Sequence, residues 1–99
     1  MKLVEHLING ELVSMGDPTQ DVFNPSTGEV SKQVEVASKN TVEKAITAAQ
    51  DAFPAWRATP PLKRARIMFR FKELLEKNIN KIAQLIGEEH GKIAHDALG

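Results

Sequence analysis

Three histidines, His6, His90 and His95, are the only imidazoles in a 99-residue sequence that contains no cysteine. The missing thiol removes disulfides, thiolate metal ligation and a cysteine nucleophile from this chain. The histidines do not take the paired helical spacing of a zinc site, because His90 and His95 are five residues apart and fall on different sides of a helix. No Gly-x-Gly-x-x-Gly occurs, so no phosphate-cradling loop is expected, and Gly28 after Thr27 reads as a turn residue. The densest cationic group is Lys63, Arg64, Arg66, Arg70 and Lys72, of which Lys63, Arg66 and Arg70 share one helix face. That face continues into Glu73 and Lys77, and charges of both signs at i, i+3 and i+4 are the pattern of a solvated helix surface. No aromatic side chain is expected among these cations, which weighs against a single-strand nucleic-acid groove. No catalytic, cofactor-binding or metal-ligating residue is therefore assigned from spacing.

The whole-chain balance agrees. Thirteen basic residues offset thirteen acidic ones, so the basic excess that marks nucleic-acid or acidic-membrane binding is missing. No apolar run approaches the roughly 20 residues needed to span a bilayer, and Met1 to Val13 lacks the apolar stretch of a signal peptide. A cytoplasmic location is the expectation. The Asn24-Pro25-Ser26 triplet has proline in the position that forbids glycosylation.

The elements change character near residue 38. Residues 1–37 read as strands and turns. A strand from Leu3 to Ile8 and another from Glu11 to Ser14 flank Asn9-Gly10, which supplies the positive φ angles of a two-residue hairpin turn. Gln20 to Phe23 forms a further strand, and Asn24-Pro25-Ser26-Thr27-Gly28 should reverse the chain. In the following strand Val30, Val34 and Val36 share one side with Lys32, while Ser31, Gln33 and Glu35 face the other, as in a half-buried strand.

Residues 38–99 read as helices. Val42, Ala45, Ile46, Ala49, Ala52, Phe53 and Trp56 recur at helical intervals, with Ser38 or the Asn40/Glu43 pair as the cap and Pro54 as a kink or stop. Thr59-Pro60-Pro61 offers a second start, with Thr59 as the N-cap candidate. Leu62, Ala65, Ile67, Met68, Phe71, Leu74 and Leu75 form the stripe behind it. Ile79, Ile82, Ala83 and Ile86 make a third apolar face closed by Gly91, and Ile93 to Leu98 opens a fourth helix. Phe53, Trp56, Phe69 and Phe71 read as packing residues.

Three segments in this order, Asn24-Pro25-Ser26-Thr27-Gly28-Glu29-Val30, Ala52-Phe53-Pro54-Ala55-Trp56 and Glu89-His90-Gly91-Lys92, resemble the aldehyde dehydrogenase family. Together with the strands before them and the helices around them they cover nearly the whole chain. Thr59-Pro60-Pro61, Arg64 to Arg66, Met68 to Leu75 and Glu89 to Lys92 resemble the methylmalonate-semialdehyde dehydrogenase branch. The resemblance implies an α+β fragment of an α/β aldehyde dehydrogenase fold, residues 1–99 forming the first part of its Rossmann-type NAD-binding domain.

It also implies a longer parent enzyme that uses NAD and coenzyme A to convert methylmalonate or malonate semialdehyde to propionyl-CoA or acetyl-CoA, losing carbon dioxide. The cysteine, the oxyanion donors, the NAD surface and the arginine for the substrate carboxylate are all expected after Gly99. The chain alone is expected to bind no cofactor and to be inactive. Its expected partners are the rest of the dehydrogenase chain and, through the parent, a homodimer or homotetramer, with no nucleic acid and no membrane. Some family members hold a monovalent cation at places that here are Val22, Phe23 and His90, but imidazole is a poor ligand for a hard cation and the site is not assigned. The alternative is a short natural assembly protein that pairs with a complete dehydrogenase subunit through faces it cannot cover itself.

Overall fold

The computed structural model describes residues 2–99. Five strands precede four helices: β1 (Lys2–Val4), β2 (His6–Ile8), β3 (Glu11–Val13), β4 (Thr19–Phe23), β5 (Val30–Glu35), α1 (Lys39–Ala58), α2 (Pro61–Lys77), α3 (Ile79–His90) and α4 (Ala94–Leu98). This is the α+β order expected, and it divides into two units. The first holds the residues up to Phe23 together with Val30–Ala58, and the second holds Asn24–Glu29 together with Thr59–Gly99.

In the first unit the Asn9-Gly10 turn forms as expected, with φ of 53° and 77°, and pairs His6, Leu7 and Ile8 with Val13, Leu12 and Glu11. The expected strand from Leu3 to Ile8 is instead two strands broken at Glu5. Its first half, β1, leaves the hairpin and pairs in parallel with β5, matching Lys2 to Lys32 and Val4 to Val34. The other edge of β5 pairs antiparallel with β4, giving the sheet order β1-β5-β4. The expected alternation along β5 fails, because burial falls on one residue of each face: Lys32 on the side of the valines and Glu35 on the other. Lys32 and Glu35 are its buried residues, while Val36 just beyond it is exposed.

Ser38 caps helix α1. Its hydroxyl accepts the Thr41 N–H at 3.3 Å and its carbonyl the Val42 N–H at 3.0 Å, so the cap is Ser38 and not Asn40. The helix does not stop at Pro54 but runs to Ala58. Proline forfeits only the bond to the carbonyl of Gln50, an exposed residue whose oxygen water can serve, one turn before the helix ends anyway.

In the second unit Asn24 organises a compact turn. Its backbone N–H donates to Glu29 O at 2.8 Å, its carbonyl accepts from Thr27 and Gly28, and its side-chain Oδ1 accepts the Ser26 N–H at 3.0 Å. Helix α2 begins one residue later than a Thr59 cap would allow, because Pro60 precedes another proline and is held extended at φ −57°, ψ 145°. Asn78 closes α2 by donating from Nδ2 to Leu74 O at 2.8 Å, and α3 then ends at Gly91, left-handed at φ 82°. A Cβ at Gly91 would stand 3.2 Å from Pro25 Cγ, so the Asn-Pro turn and the Gly-Lys segment, distant in sequence, meet here.

The apolar stripes read from the sequence exist, but most are uncovered. In α2 no residue is buried, and Leu62, Met68 and Phe71 are each more than half exposed. In α1 only Thr41 is buried, while Ile46 and Phe53 are also more than half exposed. Buried apolar residues among those described are Ile8 in the first unit and Ala83 and Ala97 in the second.

Candidate functional site

The most enclosed polar group lies in the first unit, and three separate segments build it. The β2–β3 hairpin presents His6, the 14–18 loop presents Asp17, and β5 presents Glu35 from its last position. His6 Nε2 is 2.9 Å from Asp17 Oδ2 and 3.8 Å from Glu35 Oε1. One ligand-competent atom from each of the three residues lies within 4.8 Å of the other two. Exposure of the three side chains falls from 14% for His6 to 7% for Asp17 and 1% for Glu35.

Each carboxylate is held ionised by donors aimed at it. Thr41, at the first turn of α1, donates its hydroxyl to Asp17 Oδ2 at 2.6 Å. That bond lowers the Asp17 pKa below the usual carboxylate range against the opposing effect of burial, with His6 and Ser38 adding to it. For Glu35 the largest single influence is burial, which raises its pKa. The Ser14 hydroxyl, the N–H groups of Met15 and Asp17 and the charge of His6 together outweigh it, and the net shift is downward. The two backbone bonds to Oε1 measure 3.0 and 3.2 Å. An ionised Asp17 can only accept, so the proton of the His6–Asp17 bond belongs to Nε2. Glu35 Oε2 is buried and has no hydrogen-bond partner.

Asp17 and Glu35 carry no signal in the sequence: one sits in a loop rich in turn formers, and the alternation along its strand puts the other on the polar side. His6 was visible only as an imidazole without a helical partner. The chemistry open to the group is proton sharing or metal ligation. It has no thiol or amine nucleophile, and the only hydroxyls at its edge are committed to capping and to holding the two carboxylates.

The other sequence features lie elsewhere. Val22 is in β4, where its carbonyl accepts the Ser31 hydroxyl at 3.1 Å. His90 ends α3 and His95 lies in α4, both exposed. On α2, Lys63, Arg66 and Arg70 border a shallow groove with Ile67, Phe71 and Leu74, so one aromatic does stand among the cations, contrary to the expectation from spacing. The reason is the breadth of the apolar stripe, which reaches the charged flank. Lys72 pairs with Glu76 at 3.6 Å, an exposed i, i+4 contact of the solvated kind. In the second unit an open cleft of about 490 Å³ lies beside the Asn24 turn, with Ser26, Asn80, Gln84 and Glu88 as its polar lining. Glu88 is its one charged side chain, and a carboxylate does not suit a dinucleotide pyrophosphate.

Comparison with known proteins supplies the family. The sequence profile of the aldehyde dehydrogenase family matches residues 13–99, and the chain belongs to that family. Within it, the similarity runs to enzymes acting on small semialdehydes. The chain is 56% identical over its full length to the malonate-semialdehyde dehydrogenase of Pseudomonas aeruginosa and 42% identical over 99 residues to malonate-semialdehyde dehydrogenase 2 of Bacillus thuringiensis. It spans about a fifth of the length of each, 20%. Among solved structures, the methylmalonate-semialdehyde dehydrogenase of Oceanimonas doudoroffii matches the whole chain at a TM-score of 0.97 and 66% identity, again over 20% of its own length. A Sinorhizobium meliloti 1021 protein, assigned to the same activity and complexed with NAD, matches at 0.96 and 39%. The chain is an α+β fragment of the aldehyde dehydrogenase fold.

Proposed function

We propose that this chain is the leading part of an NAD-dependent, coenzyme A-acylating dehydrogenase that oxidises malonate or methylmalonate semialdehyde to acetyl-CoA or propionyl-CoA. The observation that carries the reading is the unbroken similarity over all 99 residues to a malonate-semialdehyde dehydrogenase. The role of the chain itself is scaffolding. It has no cysteine to attack an aldehyde and no loop to cradle a dinucleotide, so nucleophile and cofactor site belong to other parts of the parent. Residues 1–99 form the start of the cofactor-binding domain, and the rest of that chain covers the exposed faces of α1 and α2.

The test is to express the chain in frame with its downstream sequence and to follow NADH formation with malonate semialdehyde and coenzyme A. Acyl-CoA production by the long product, with none from the 99-residue chain, is the expected result. NADH formation by the purified short chain would overturn the scaffolding role, and a long product inert toward both semialdehydes would overturn the substrate assignment. Restored activity on mixing the short chain with an otherwise complete subunit lacking these residues would support the same division of labour. Co-purification with an intact, already active subunit would instead favour the assembly-protein alternative.

A further inference from the structure

We propose that His6, Asp17 and Glu35 form a binding site for one divalent transition-metal ion, with zinc the best fit. One imidazole nitrogen and two carboxylate oxygens are a ligand set that zinc takes readily, whereas the hard ions magnesium and calcium prefer oxygen alone. Zinc bonds of about 2.0–2.1 Å arranged tetrahedrally place ligand atoms about 3.3 Å apart. The His6–Asp17 and His6–Glu35 separations, 2.9 and 3.8 Å, lie on either side of that spacing. All three ligand atoms lie within 4.8 Å of one another, so side-chain torsions that move them by up to roughly 1.5 Å would close the set around an ion.

A second observation points independently to a ligand. Glu35 is 1% exposed, yet its Oε2 has no hydrogen-bond partner, and a buried carboxylate oxygen left unserved is costly. An ion at this carboxylate serves Oε2 directly by bidentate ligation or through a water that it carries. The remaining lone pairs are already arranged for ligation: Thr41 fixes the Asp17 carboxylate, and the N–H groups of Met15 and Asp17 fix Oε1 of Glu35. Metal sites depend on such supporting bonds to orient their ligands. The exchange balances: zinc enters between Nε2 and the two carboxylates as Nε2 gives up the proton it shares with Asp17, a neutral His6 passing to the tautomer protonated at Nδ1 and a cationic His6 releasing the proton to solvent. The site lies within the first unit.

The experiment is a titration of the metal-free 99-residue chain with zinc sulfate against a chromophoric chelator, paired with X-ray absorption of the zinc-loaded chain. Uptake of one equivalent, with a spectrum of one imidazole and otherwise oxygen ligands, is expected. His6→Gln and Asp17→Asn should each weaken uptake at least tenfold, and Thr41→Val, which removes only a supporting bond, by about tenfold. The double variant His90→Gln/His95→Gln should bind as the parent does. Absence of stoichiometric uptake overturns the proposal whether or not the chain is folded beforehand. So does uptake that survives loss of His6, uptake abolished by loss of His90 and His95, retention of magnesium as strong as that of zinc, or a spectrum without an imidazole.

Discussion

Asp17 and Glu35 are the residues whose ionisation matters most to this chain, and the consequence has a definite sign. Both have folded-state pKa values below their ordinary values, 3.8 for aspartate and 4.5 for glutamate. In that case the unfolded chain binds protons more readily than the folded one, and stability present above those ordinary values is lost as pH falls through the lowered ones. The midpoint of thermal unfolding should therefore hold level from neutral pH down to about pH 5 and then drop as the medium becomes more acidic. Asp17→Asn should lower the midpoint at neutral pH and flatten the acid limb, which a series of melts across that range would check. A variant with the same acid limb as the parent would show that the contribution lies in other carboxylates. Little of this was legible beforehand. His6, Asp17 and Glu35 are separated by a hairpin and two strands, and only the pairing of those strands brings them together.

At the scale of elements, helix periods and turn chemistry were legible because they are local. Asn9-Gly10, the Asn24 turn and the glycine after α3 stand where residue types alone put them. The departures came where a neighbour or a distant strand decides: Pro60 barred from helix by Pro61, β1 drawn away to β5, Glu35 enclosed rather than solvent-facing. Two predictions belong here. Ser38→Ala should cost about 1 kcal/mol through the lost α1 cap, whereas Asn40→Ala should change little, and denaturant midpoints of the two variants would separate them. Gly91→Ala should cost about 1–2 kcal/mol for forcing a side chain into the left-handed region. Its new methyl would also press on Pro25, so Pro25→Ala should relieve part of the loss in a double-mutant cycle.

For the molecule as a whole, the exposed apolar stripes are the dominant fact. Leu62, Met68, Phe69 and Phe71 on α2 are each more than half exposed, an arrangement that soluble helices normally bury. The isolated chain should accordingly bind a hydrophobic dye strongly and self-associate as its concentration rises. Ile67→Glu together with Phe71→Glu should suppress both without lowering the helix content, as light scattering and circular dichroism would show. Dye binding unchanged by these substitutions would place the sticky surface on another helix. That the stripes would form was readable from their period. That they remain uncovered is what the family resemblance implies and not their period, because a sequence pattern states which side a helix would bury and not whether the covering layer is present.

The parallel pairing of β1 with β5 has a further consequence in time. Lys2, Leu3 and Val4 leave a ribosome some thirty residues ahead of their partners, Lys32, Gln33 and Val34. Until some thirty residues more have emerged, β1 has no edge to join, whereas the Asn9-Gly10 hairpin can close at once from neighbouring residues. The hairpin should therefore gain protection from hydrogen exchange early, and the amides of β1 only after β5 has arrived, the order expected when distant contacts must first overcome the entropy of closing a long loop.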